Sequence, residues 1–175
     1  MKAQFLLIPA AAIVCVATPA YAKVYLSLEQ AQQLMFPGAT FAQQTLTLTD
    51  DQARAIEKAS GTDVRNRQVQ LWKVSTGGWF IADQVVGKHD FIPIAVGLDD
   101  SGAVKSIEIL EYREAFGEQV RNPQWLAQFQ GKRNGATLTL TKDIQNISGA
   151  TLSSKHITDG VRRLLATYAI AIASH

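Results

Sequence analysis

Val69-Gln70-Leu71-Trp72-Lys73-Val74, then Thr76-Gly77-Gly78, then Trp79-Phe80-Ile81-Ala82-Asp83-Gln84-Val85-Val86 is the stretch on which the fold turns. Val69, Leu71 and Val74 form β-structure readily, the Thr-Gly-Gly is a turn, and the apolar run resumes at Trp79, which predicts a β-hairpin. Trp72 and Trp79 flank that turn and are expected to pack across it. Downstream, Phe91 to Leu98 and Val104 to Leu110 predict a second hairpin joined by Asp99-Asp100-Ser101-Gly102, with Ile107 and Ile109 alternating against Glu108. Upstream, Ser27-Leu28-Glu29-Gln30 and Thr49-Asp50-Asp51-Gln52 each place a glutamine three residues after a hydroxyl. That is the pattern of a capping box, and it predicts two short helices stopping near Pro37-Gly38 and Gly61. Towards the C-terminus, Pro123 to Phe129 predicts a short helix and Ala136 to Thr141 a last strand. Ile157, Val161, Leu164, Leu165, Tyr168 and Ile172 mark one face of a long helix from Ser154 to Ile172. The expected fold class is α+β: an antiparallel hairpin sheet with short N-terminal helices and a long C-terminal amphipathic helix packed on it.

Residues 1–22 read as a cleaved export signal. Lys2 gives a positive start, Phe5 to Ala17 is apolar without a charge, and Ala20-Tyr21-Ala22 is the small-x-small pattern of a cleavage site. The apolar run falls short of the roughly 20 residues that span a bilayer, and Pro19 follows it, so no stable membrane span is expected after cleavage. The mature chain is then a single domain, residues 23–175, in the periplasm. Cys15 is the single cysteine and leaves with the signal, which suits an oxidising compartment and excludes disulfides, haem attachment and thiolate metal clusters. His89, His156 and His175 have no paired metal-ligand spacing, so no metal is expected. Ser153, His156 and Asp159 lie along one helix, where a hydrolase triad does not converge. With 47% hydrophobic residues the chain can bury a core, and a formal charge of +2 is too small for a nucleic-acid-binding surface.

Just before the long helix stands Asn146-Ile147-Ser148-Gly149-Ala150-Thr151-Leu152-Ser153-Ser154. Gly149 and Ala150 let the backbone approach a ligand closely, four hydroxyls are within reach, and the helix start offers unpaired N–H groups to an anion such as phosphate. On spacing alone an ordinary Ser/Thr helix cap, worth about 1 kcal/mol, is the commoner meaning of such a stretch.

Ser148-Gly149-Ala150-Thr151 followed by Leu152-Ser153-Ser154 resembles the SGAT motif of the FMN-binding domain family. That family includes a component of the sodium-pumping NADH:quinone reductase, a component of the Rnf complex and the NosR regulators. Tyr112-Arg113-Glu114-Ala115-Phe116-Gly117 resembles the family's Glu-and-Gly segment, and Trp125-Leu126-Ala127-Gln128-Phe129-Gln130-Gly131-Lys132 its Trp and Gln-Phe-x-Gly run. The likeness extends from about Val85 to Leu165. Gln145 stands where the family often has Asp six residues before the last Thr, with Asp143 two residues earlier, and Ala115-Phe116-Gly117-Glu118 replaces a Pro-Gly-Leu-Gly.

The resemblance implies FMN joined by a phosphoester to Thr151, with Ser148, Gly149, Ala150, Leu152, Ser153, Glu114, Phe116, Gly117 and Trp125 completing the cofactor site. Trp125, Phe116 or Tyr112 can stack on the flavin ring or simply pack, and Glu114 can hydrogen-bond the flavin or lie solvated at an edge. The implied function is an exported flavoprotein that relays electrons between a membrane reductase and an extracytoplasmic acceptor, a redox subunit rather than a stand-alone catalyst. Its donor and acceptor would be other membrane-bound or periplasmic proteins, and a flavin transferase using FAD would load it. The alternative is a non-redox secreted binding module whose loop only caps a helix or holds a small anion.

Overall fold

A computed structural model describes residues 23–114 and 116–173. The expected signal segment with Lys2 and Cys15, together with Ala115 and His175, lies outside the described residues. Five antiparallel strands follow one another across a single sheet: β2 (Phe41–Thr47), β3 (Gln68–Val74), β4 (Trp79–Val86), β5 (Phe91–Leu98) and β6 (Val104–Ile109). A two-stranded pair beside it joins β1 (Lys23–Val24) to β7 (Glu111–Tyr112). Both predicted hairpins are present.

Alternation divides the sheet into two apolar faces. Leu71, Ile81, Val96 and Ile107 sit opposite one another on consecutive strands and belong to the main core. Trp72 and Phe80 point the other way and pack with Met35 of α1 (Leu28–Met35) and with Phe36 just after it. Trp72 meets Phe80 edge-on at 5.5 Å between ring centroids, whereas Trp79 lies in the main core, so the two tryptophans occupy opposite faces. The main core is covered by α4 (Thr151–Thr167), which continues as a π-helical turn, Tyr168–Ile172. At Gly160 this helix comes so near β4 that a Cβ would overlap Val85. Packed against α4 is α2 (Asp50–Ser60), through Ile56 and Ala166. A 3-10 turn (Glu118–Arg121), α3 (Pro123–Leu126) and a further 3-10 turn (Ala127–Phe129) complete that side.

Two further expectations change. Ala136 to Thr141 is not a strand. Asp143 accepts the N–H groups of Leu138 (2.9 Å) and Thr139 (2.7 Å), while Arg162 donates to the Leu138 carbonyl (2.7 Å), so groups a sheet would pair are bound locally. Leu138 and Thr141 also have positive φ, leaving only a single bridge between Leu140 and Ile144. Leu138 is nonetheless fully buried, as an apolar residue in a core-facing loop. The long helix, in turn, begins at Thr151 rather than Ser154. The edge strand β2 carries no clear sequence signal, because Phe-Ala-Gln-Gln-Thr-Leu-Thr is mostly exposed and is held through its backbone ladder to β3.

Candidate cofactor groove

The start of α4 differs from an ordinary helix N-terminus. Its N-cap is Ala150, and no side chain among the described residues caps it. Ser154 N–H is the first to bond back within the helix, to the Ala150 carbonyl at 2.9 Å. The N–H groups of the first turn, Thr151 to Ser153, are therefore left for something else. Gly149, at φ +82°, turns the chain into that position in the left-handed region that glycine adopts without strain.

Opposite this turn lie two short segments, and between them and α4 is a groove of about 620 Å³. One wall is Gly149 to Ser153; the other is Lys88, His89, Glu114 and Phe116. Thr151 is exposed at the first helical position, Leu152 is exposed beside it, and Ser153 is buried. Phe116 stands 84% exposed on the crest between this groove and a second one of about 390 Å³ walled by Tyr25, Tyr112, Gly117 and Glu118.

Each wall has an identifiable support. Glu114 is half-buried rather than a solvated edge residue: its Oε1 accepts the N–H groups of His89 (2.7 Å) and Asp90 (3.2 Å), holding the turn that follows β4. Burial alone would push its carboxyl up, but the His89, Asp90 and Lys88 N–H groups outweigh that and hold it below the usual carboxylate range. Gly87 leaves the room the carboxylate occupies, since a Cβ there would overlap Oε1. Tyr112 is buried and does not present its ring for stacking. Its hydroxyl donates to the Phe116 carbonyl (2.7 Å) and, having one proton, accepts from Ser153 Oγ (2.9 Å). Burial raises its pKa, with the Ser153 bond pulling the other way. Tyr112 thus ties Phe116 to the first turn of α4. Gly117, at φ +99°, lets the loop pass directly over that hydroxyl, where a Cβ would overlap it.

The structure does not bring Trp125 to the groove. Its ring is 5% exposed and meets Phe129 edge-on at 5.3 Å, and its Nε1 donates to the Gln145 carbonyl (2.7 Å). Ser148 is exposed in the approach to α4 and forms no part of the groove wall. Of the expected set, Thr151, Gly149, Ala150, Leu152, Ser153, Glu114 and Phe116 converge on one groove, with Gly117 beside it. The Gly87-to-Asp90 turn is not legible in the sequence as part of the site, because its contribution depends on Glu114, which only the fold brings beneath it. Its one local signal is the Gly-Lys-His-Asp break between two apolar runs.

An uncapped helix start, a glycine-bent approach and an open, partly apolar groove suit a phosphate bearing a planar ring system. Residues 87–166 match the family model described as FMN-binding domain, which takes in both walls of the groove. No curated protein matches the chain.

Proposed function

We propose, from the premise that residues 87–166 belong to the FMN-binding domain family, that this protein is an exported carrier of covalently bound FMN that passes electrons between other proteins. FMN binding follows from the family; attachment, export and the relay role are our reading. The observation that carries the attachment is Thr151 itself, an exposed hydroxyl on the first residue of an uncapped 17-residue helix, opening on the groove. The first-turn N–H groups and the positive end of the helix would hold a phosphate esterified there. Phe116 and Leu152 offer apolar surface to the ring, while Lys88 and Glu114 set the charge around it. When bound, the flavin supplies the one- and two-electron chemistry that side chains lack.

The tether has a physical rationale. Outside the cytoplasm a cofactor held by affinity alone is lost on dilution, and a phosphoester is not. A carrier with a single flavin needs a donor and an acceptor on other chains, and a flavin transferase must load it. The competing reading, a non-redox module whose hydroxyls merely cap the helix, is disfavoured by the absence of such a cap at α4 among the described residues. Intact mass and visible spectrum of the protein from the extracytoplasmic fraction of its own host test the proposal together. The expected mass is that of residues 23–175 plus one FMN less water, with a yellow colour that survives denaturation. A colourless protein of unmodified mass overturns the carrier reading, and a chain retaining residues 1–22 overturns cleavage.

A further inference from the structure

We infer that Asn146 presents the Thr151 hydroxyl for modification and that Gln128 and Trp125 are positioning residues acting through it; this rests on the covalent reading above. A chain of hydrogen bonds carries it. Trp125 Nε1 donates to the Gln145 carbonyl (2.7 Å), and Gln128 Oε1 accepts the Gln145 N–H (2.8 Å), while Gln128 Nε2 donates to the Trp125 carbonyl (3.1 Å). Both backbone polar groups of Gln145 are thus held from one short helical segment, although Gln145 is exposed. The next residue reaches across the loop, and Asn146 Nδ2 donates to Thr151 Oγ1 at 3.1 Å.

Two other threonines of α4 use their hydroxyls differently from Thr151, which at the first helical position has no carbonyl of α4 four residues behind it. Thr158 donates its hydroxyl to the Ser154 carbonyl (2.7 Å) and Thr167 donates to the Arg163 carbonyl (3.0 Å), the usual habit of a helical threonine, which occupies the proton. Thr151 Oγ1 instead accepts, and among the described residues its proton has no acceptor, while the residue itself is exposed. That is the state a nucleophilic hydroxyl needs. In the loading step Oγ1 bonds to the phosphorus on the flavin side of FAD, the pyrophosphate P–O bond breaks, AMP leaves with the electron pair, and the hydroxyl proton passes to a base of the transferase. No electron is gained or lost overall. Asn146 and Thr151 are both exposed, so an enzyme can reach them, and their mutual bond contributes little to global stability.

The test uses the mature protein made without the transferase, then loaded with FAD and that enzyme and followed by intact mass. Asn146→Ala is expected to slow loading roughly two- to tenfold, the range for one hydrogen bond. The loss should fall in the rate at saturating carrier rather than in its KM, with an unchanged melting temperature. Gln128→Leu should slow loading similarly, and the double variant should be no slower than the slower single one. Loading of Asn146→Ala at the wild-type rate overturns the inference, and multiplicative effects in the double variant overturn the route from Gln128 through Asn146. Thr151→Ala run alongside separates the two levels: if it loads as wild type does, or if wild type never loads, the covalent reading has failed instead.

Discussion

Three helices of this protein begin beside hydroxyl-rich sequence, and they begin differently. At α1 and α2 the boxes are complete: Ser27 Oγ accepts the Gln30 N–H (3.2 Å) while Gln30 Oε1 accepts the Ser27 N–H (2.8 Å), and Thr49 and Gln52 repeat this at 3.2 and 2.9 Å. At α4 the hydroxyls of Ser148, Thr151, Ser153 and Ser154 lie just as near, yet Ala150 is the N-cap and none of them caps it. Ser153 is drawn to Tyr112 and Thr151 to Asn146. Helices whose only task is packing close their own ends, whereas the helix beside the groove keeps its end open. An open N-terminus on a long helix forgoes roughly 1 kcal/mol of capping, which a bound anion can return.

The contrast can be broken most directly at Thr151. Thr151→Ala is expected to abolish covalent FMN completely while leaving the fold intact, because among the described residues its hydroxyl is bonded only to exposed Asn146; in-gel flavin fluorescence of the denatured variant reads this, and retained fluorescence would move the attachment to Ser153 or Ser154. The loop that meets the open end comes next. Gly117→Ala forces a side chain into the left-handed region and against the Tyr112 hydroxyl, and should cost about 1–3 kcal/mol in denaturant unfolding and weaken FMN loading. At the closed end of α2, Thr49→Ala should cost roughly 1 kcal/mol, whereas Ser148→Ala beside α4 should leave the unfolding midpoint within about 0.5 kcal/mol of wild type. Equal losses from these two substitutions would show that α4 is capped after all.

The smallest effect concerns the phosphate itself. Seated at the first turn of α4, its charge should stabilise the loaded protein by roughly 0.3 to 1 kcal/mol at low ionic strength, a rise of a few degrees at most in melting temperature. Added salt should remove that part and spare any contribution from ring packing. A melting temperature unchanged or lowered on loading at low salt would place the phosphate away from the helix.

What the amino-acid sequence determined by itself was local. Alternation over Val69 to Leu110 predicts two hairpins, and both are present. A hydroxyl and a glutamine three residues apart specify the starts of α1 and α2, since both partners of a capping box lie within one turn. Gly149-Ala150-Thr151 marks one wall of the groove in the sequence because those wall residues are consecutive. Tertiary structure alone decided the rest, wherever a residue's role is set by a partner distant in the chain. Apolar alternation over Ala136 to Thr141 has the pattern of a strand, but the Asp143 carboxylate and Arg162 bind its backbone before any strand can. Trp125 has the makings of a stacking ring, yet the Gln145 carbonyl, 20 residues on, takes its N–H and turns it into a brace. The hydroxyls around the start of α4 have the pattern of a cap, but the helix begins at Thr151, so Thr151 and Ser153 lie within its first turn and bond instead to Asn146 and to distant Tyr112. A backbone N–H or a hydroxyl has few bonds to make, and which partner it finds is decided by the packing that delivers one, which no window of sequence contains.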